Sequence, residues 1–253
     1  MKKYILYIII LFITSLGCKN NKDDEHFVYE NGGVVLTFDD VYVSNWLMAD
    51  TLLQKYNWRA SFGITLFNSL TETQLQGLEY LESQGHEIAS HSLSHKDAIE
   101  YVKNNGLDAY LKDEVDSMNT LMNQRFRTVT SFVYPYGSHN SEIDEVMQNK
   151  FKILRGTTGS KKPPKNQDCY FNGSHVVYGW GIDKSYDHYS KELLTELLQY
   201  AKDNHLVLIL YAHRVTHNVT IDYQVNISTL EYICKYVDNN NMKFLTLSEL
   251  ADL

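Results

Sequence analysis

Three prolines and three cysteines in 253 residues are the first scarcities. So few prolines, with 13 glycines, exclude a collagen-like or Pro/Gly-rich low-complexity chain. Three cysteines exclude a disulfide-dense scaffold; beyond Cys18 only Cys169 and Cys234 could pair, and their spacing does not say whether they approach. Basic side chains are short as well, 23 against 31 acidic ones for a formal charge of −8, which argues against a nucleic-acid binder and its basic footprint. Long hydrophobic runs are missing: Tyr4 to Ile13 falls well below the about 20 residues of a membrane-spanning helix. Aromatic surface, by contrast, is plentiful, with 19 tyrosines. Tyrosines suit a sugar-binding wall, and they suit an ordinary core equally well.

Lys2 and Lys3 before the apolar run, then Thr14, Ser15, Leu16, Gly17 and Cys18, have the layout of a secretory signal over residues 1–17. Ser15-Leu16-Gly17-Cys18 resembles the bacterial lipobox, which implies cleavage before Cys18, lipid on that cysteine and anchoring to a membrane outside the cytoplasm. A plain signal peptide with an incidental cysteine is the bland alternative. Loss of Lys2 and Lys3 leaves 21 basic residues against 31 acidic ones, a mature charge of −10, so attachment to anionic lipid would rest on acyl chains rather than on charge. Residues 18–33 begin with Lys19-Asn20-Asn21-Lys22-Asp23-Asp24-Glu25 and read as a polar tether. Its acidic cluster resembles the export signal of surface-exposed lipoproteins, and a solvated charge run explains it nearly as well.

From residue 34 to residue 253 the chain reads as one domain. Short apolar runs at 34–38, 60–64, 87–90, 130–134, 153–155, 176–178, 206–211 and 243–245 are predicted strands. Helical periods lie between them: Leu111, Val115, Met118 and Met122 share one face, as do Leu193, Leu194, Leu197, Leu198 and Ala201. Thr71 with Gln74, and Ser228 with Glu231, have capping-box spacing, and Gly85 stands where a helix would end. Repeated strand-helix-strand implies a parallel sheet, open or closed as a barrel. Residues 156–172 form the longest predicted loop.

Asp39 and Asp40 follow directly on the strand Val34-Val35-Leu36-Thr37-Phe38. Adjacent carboxylates repel and need a cation or donors to be tolerated half-buried; a solvated turn is the alternative. His91 and His95 follow the strand at 87–90, and a four-residue gap brings both imidazoles to one side of a turn, the arrangement that holds a divalent metal. Two histidines and one carboxylate of the Asp pair, with open positions, suit zinc-type hydrolysis and also non-haem iron oxygenation. His213 follows the strand at 206–211, and alone it would be a structural histidine. The positions together argue otherwise: Asp39 and Asp40, His91, Pro135-Tyr136 and His213 each begin where a predicted strand stops, and in α/β folds that face carries the site.

Leu36-Thr37-Phe38-Asp39-Asp40, His91-Ser92-Leu93-Ser94-His95 preceded by Gly85-His86-Glu87-Ile88-Ala89-Ser90, Tyr134-Pro135-Tyr136-Gly137, and Leu208-Ile209-Leu210-Tyr211-Ala212-His213, in this order, resemble the motifs of polysaccharide deacetylases, the NodB-homology or carbohydrate esterase 4 family. The resemblance implies a distorted (β/α)7 barrel and one divalent metal on Asp40, His91 and His95; zinc fits that set, and cobalt or nickel would too. It also implies Asp39 as general base, His213 as general acid, and the Tyr136 N–H beside Pro135 as oxyanion donor. The oxygenase reading leaves Asp39 and His213 without roles.

Three positions depart from the family pattern. Val41 stands where a glycine usually follows the paired aspartates. Val133 stands where the third motif usually has an arginine that pairs with the base carboxylate; Arg155, at the end of the next strand, could substitute, or be merely structural. The fourth motif survives loosely in Trp180-Gly181-Ile182-Asp183, where Asp183 could orient His213 and Trp180 could wall the pocket or pack in the core. Trp46 is a further candidate ring for the site. The leading expectation is therefore a metal-dependent hydrolase removing N- or O-linked acetyl groups from a glycan. The second is a non-catalytic glycan-binding lipoprotein that keeps the fold. A mature charge of −10 makes neutral or amine-forming acetylated sugars the easier substrates.

Overall fold

A computed structural model describes residues 31–253, so the expected leader, Cys18 and the expected tether up to residue 30 lie outside the described residues. Strands β1 (Gly33–Asp40), β2 (Ser61–Ile64), β3 (Glu87–Ser90), β4 (Ser131–Val133), β5 (Ile153–Thr158), β6 (Val176–Gly181) and β7 (Val207–Ala212) pair in chain order, all parallel, and β1 pairs with β7 to close a seven-stranded barrel. The continuous apolar runs follow from this closure. A strand covered on one face by helices and on the other by the barrel interior has no solvated side to encode, so β1 is buried from Gly33 to Asp39 and β7 throughout. Two short strands that the periodicity does not announce, β8 (Arg214–Thr216) and β9 (Gln224–Asn226), form a separate parallel ribbon after β7. Finally β10 (Lys243–Leu245) joins the start of β1, on the side that β2 takes further along.

The helices α1 (Val43–Leu53), α2 (Glu72–Ser83), α3 (Ala98–Asn105), α4 (Leu107–Tyr110), α5 (Ser117–Met122), α6 (Ser141–Met147), α7 (Lys191–Asp203) and α8 (Ile227–Asn239) are interleaved with the strands. Leu111–Asp116, between α4 and α5, is a π turn. Thr71 and Gln74 make the expected capping box at α2, and Gly85 takes a φ of 93° after it. The second expected capping box is corrected: Asn226, not Ser228, caps α8 by accepting from the Ser228 N–H at 2.8 Å, and Glu231 instead accepts from the Tyr56 hydroxyl at 3.0 Å. The long loop is shorter than expected, because β5 runs to Thr158 and residues 164–166 form a 3₁₀ turn. Cys169 and Cys234 are buried free thiols, each pushed up to about 12 by burial, so they do not form a disulfide. No helix of the described residues is long and apolar enough to cross a membrane.

Alternation along β1 puts Val35, Thr37 and Asp39 on one face. Val35 belongs to a small apolar cluster with Ala89, Val133, Val177 and Ile209, contributed by four other strands, which is the barrel interior. Val34, Leu36 and Phe38 pack on the other side with residues of the helices. Asp39 thus caps an interior column, and the site above it is assembled from the C-terminal ends of the strands.

Candidate active site

Asp40, the last residue of β1, takes a φ of 85°, and His91 follows β3 directly. Their donor atoms and those of His95 all lie within 4.8 Å of one another, with Asp40 Oδ1 at 3.3 Å from His95 Nε2 and 3.8 Å from His91 Nε2. His91 Nδ1–H donates to the Val133 carbonyl at 2.8 Å, which fixes the tautomer and leaves Nε2 as the ligating nitrogen. Burial pushes His91 down to about 3, so it is a neutral ligand rather than an imidazolium. Asp40 is raised, by its burial and then by the Asp39 charge against the pull of His213 and His95, and a cation there would relieve it. Two imidazoles, a carboxylate and an open side toward the cavity fit a divalent metal.

The loop carrying these histidines is held by a residue that sequence reasoning missed. Glu114, buried in the π turn, accepts from the Ser94 N–H at 2.8 Å and from the Ser94 hydroxyl, while its own carbonyl accepts from the Leu93 N–H at 3.0 Å. Ser92 and His95 take φ values of 60° and 57°, conformations that side-chain-bearing residues adopt at a cost and that such clips hold in place. The π turn aims Glu114 at the loop, and periodicity carries no signal for it.

Asp39 is buried inside the barrel and accepts both hydrogen bonds of Arg155 Nη2, at 2.5 Å on Oδ1 and at closer approach on Oδ2. Arg155 is fully buried, with its guanidinium carbon 5.0 Å from the centre of the Tyr211 ring. Arg155 is the cross-strand partner of Val133 in the β4–β5 register, and a Cβ placed on Gly63 would meet Val133 Cγ2 at 3.2 Å and Asp39 Oδ1 at 3.5 Å. Positions 133 and 155 therefore share the interior layer of Asp39, and Arg155 brings a guanidinium to that carboxylate from β5. Burial works against charge on Asp39, but Arg155, followed by His91 and His213, outweighs it and holds the carboxyl below its ordinary value.

His213 follows β7. Its Nδ1–H donates to Asp183 Oδ2 at 2.6 Å, and its backbone N–H donates to Asp183 Oδ1 at 3.3 Å. Burial disfavours the imidazolium, yet the Asp183 hydrogen bond and the charges of Asp39, Asp183 and Asp40 overcome that and place His213 above its ordinary value. With Nδ1 engaged, Nε2 is the nitrogen left for proton transfer.

A cavity of about 330 Å³ gathers Asp39, Asp40, His91, His95, Tyr136 and His213, with Thr157, Tyr134, Tyr186, Tyr211 and Tyr223 completing its wall. Pro135 is buried beneath it and sets the turn that presents Tyr136 at a φ of 59°. Gly137 is required next: a Cβ there would lie 2.7 Å from the Thr157 nitrogen. Two rings expected at the site are not in its wall. Trp180 is fully buried, donating Nε1–H to the Ser160 carbonyl at 3.3 Å and packing on His188, because β6 turns it away from the barrel axis. Trp46 is buried against Phe62 and donates to the His213 carbonyl at 3.0 Å, supporting His213 from behind.

Residues 29–151 match the family model described as polysaccharide deacetylase. A comparison with curated proteins finds no match. Among solved structures, the chain is similar to the Xyl-CE4 domain of a multidomain xylanase from the hindgut metagenome of Trinervitermes trinervoides (19% identity, 88% of this chain and 91% of that one, TM-score 0.56). It is also similar to peptidoglycan deacetylase PdaC from Bacillus subtilis (17%, 88% and 91%, TM-score 0.55). A third similar structure is a CE4 family pseudoenzyme from Bacillus anthracis (15%, 88% and 66%, TM-score 0.55). Identities this low speak for the fold, and the pseudoenzyme among them means that the fold alone does not establish turnover.

Proposed function

We propose that the chain is a member of the polysaccharide deacetylase family, whose model matches residues 29–151, and that it is a metal-dependent hydrolase removing N- or O-linked acetyl groups from a glycan outside the cytoplasm. The observation that carries this reading is the Arg155–Asp39 pair: a buried carboxylate kept ionised at the floor of the cavity is what a general base needs, and a mere binder has no use for it.

A divalent ion on Asp40, His91 and His95, for which zinc suits the donors, would polarise the acetyl carbonyl and acidify bound water. Asp39 accepts the proton of the attacking water, and Arg155 keeps it charged until then. The Tyr136 N–H, aimed by the Pro135 turn, serves the developing oxyanion. His213, oriented by Asp183 and raised above its ordinary value chiefly by that hydrogen bond, protonates the departing amine or alkoxide. The non-catalytic alternative was motivated by Val133 and the loose fourth motif; Arg155 and Asp183 stand where those gaps would be, which favours turnover. Zinc-loaded protein is expected to release acetate from at least one member of a panel of N- and O-acetylated glycans, and to stop with chelator or in His91→Ala. Binding without acetate release from any member would decide for the binder. The lipid anchor on Cys18 belongs to the same proposal, and Cys18→Ser should move the protein from the membrane fraction to the soluble one.

A further inference from the structure

With Trp180 in the core, the wall it could have formed must come from another residue. We propose that Tyr223 is that wall, and that Tyr223 and Tyr136 together hold a pyranose ring of a neutral, acetylated oligosaccharide over Asp39 and His213. This deepens the deacetylase reading and rests on it for the chemistry, but its evidence is separate.

The two tyrosines are presented alike. Tyr136 is 69% exposed and stands edge-on to His95, with centroids 4.7 Å apart at 69°; Tyr223 is 54% exposed and stands edge-on to His213, 5.2 Å apart at 66°. Each therefore packs one edge on a histidine of the site and leaves ring surface open to the cavity that both line. Both sit on left-handed backbone, with φ of 59° and 56°. Glycine or asparagine would meet that conformation at less cost, so a tyrosine there is explained by what its side chain does rather than by the turn.

Tyr223 is also held rigidly. Its N–H donates to the Ser185 hydroxyl at 3.2 Å, its carbonyl accepts from the Arg214 N–H at 3.2 Å, and the next residue, the buried Gln224, accepts from the Thr220 N–H at 2.9 Å. Loop 217–223 is thereby tied to both β9 and the segment after β6, and the ring is pre-organised for a ligand. The ligand class follows from the lining. Aromatic faces match the C–H faces of a pyranose, while the carboxylates and imidazoles beneath offer polar partners. No lysine or arginine lines the cavity and the chain is acidic overall, so an anionic sugar finds no partner there.

The test uses the full chain loaded with zinc, with the tetramer of N-acetylglucosamine and acetylated xylotetraose as probes, and the metal-free protein for calorimetry. Tyr223→Ala is expected to weaken binding of at least one probe about tenfold and to raise KM correspondingly, with kcat falling much less, while Tyr223→Phe restores both. Affinity and KM within twofold of the parent, or a loss carried by kcat and not restored by phenylalanine, would overturn the wall. Binding that responds to Tyr223 in a protein releasing no acetate would uphold the wall and defeat the catalytic reading. Turnover that ignores Tyr223 would do the reverse, and no binding of either probe would overturn the proposed ligand class.

Discussion

Residues 29–151, the stretch covered by the family model, bring Asp39, Asp40, His91, His95 and Tyr136 to the site, each inside a short contiguous motif. Residues 152–253 bring Arg155, Asp183, His213 and Tyr223: His213 ends a clear motif and Asp183 a loose one, while Arg155 and Tyr223 come as isolated residues. The difference follows from what each group must do. A metal demands several donors within bonding distance at once, which ties His91 and His95 to one loop at fixed spacing. A buried carboxylate demands only a cation in its layer, and a sugar demands only a ring at the rim. Any strand or loop reaching that point in space will serve, so Arg155 does from β5 what position 133 would do from β4, and Tyr223 does what Trp180 does not.

Three experiments bear on this contrast, in falling order of expected effect. Asp183→Asn removes the negative charge and leaves one acceptor oxygen for the two N–H groups of His213 that Asp183 serves, and kcat should fall about 10³-fold, within the range that general acid catalysis supplies. Because Asp183 raises His213, its loss should also move the alkaline limb of the pH–rate profile to lower pH, since the imidazolium would then be lost sooner; an unmoved limb would show that His213 is not the titrating acid. Arg155→Leu leaves Asp39 buried and unpaired, which should cost about 3–5 kcal/mol in denaturant unfolding and about 10²-fold in activity. The sharper form is the exchange of Val133→Arg with Arg155→Val, which should recover much of both, because the two positions face each other in one layer. Failure of the exchange, with each variant folded, would mean that the site reads the strand and not merely the charge. Glu114→Gln loosens the loop around Ser94 and should weaken zinc binding about tenfold by calorimetry, the scale of a group that supports metal ligands from behind; unchanged affinity would reduce Glu114 to a fold-stabilising residue.

The barrel strands were legible because burial on both faces leaves an unbroken apolar signature, and the two histidines were legible because metal spacing is local. β8 and β9 were not, since Arg214-Val215-Thr216 and Gln224-Val225-Asn226 each hold a single apolar residue between polar ones and so make no apolar run. The Ser228 capping box was misplaced by two residues because the helix starts earlier: Ser228 is already inside it, and its N–H is the one that Asn226 caps. Trp180 was read as either wall or core, and nothing in Trp180-Gly181-Ile182-Asp183 says which face β6 turns inward.

By itself the sequence determined the alternation of strands and helices, the strand ends at which chemistry accumulates, and the pairing of His91 and His95 at ligand spacing. All of these rest on spacings within one element or on runs of apolar residues. Tertiary structure alone decided that Arg155 reaches Asp39 across 116 positions of chain, that Asp183 rather than solvent orients His213, that Glu114 braces the histidine loop, and that Tyr223 stands at the rim. Closure of the barrel sets those contacts: it brings interior side chains of neighbouring strands into one layer, and a one-dimensional pattern cannot tell which residues will share it.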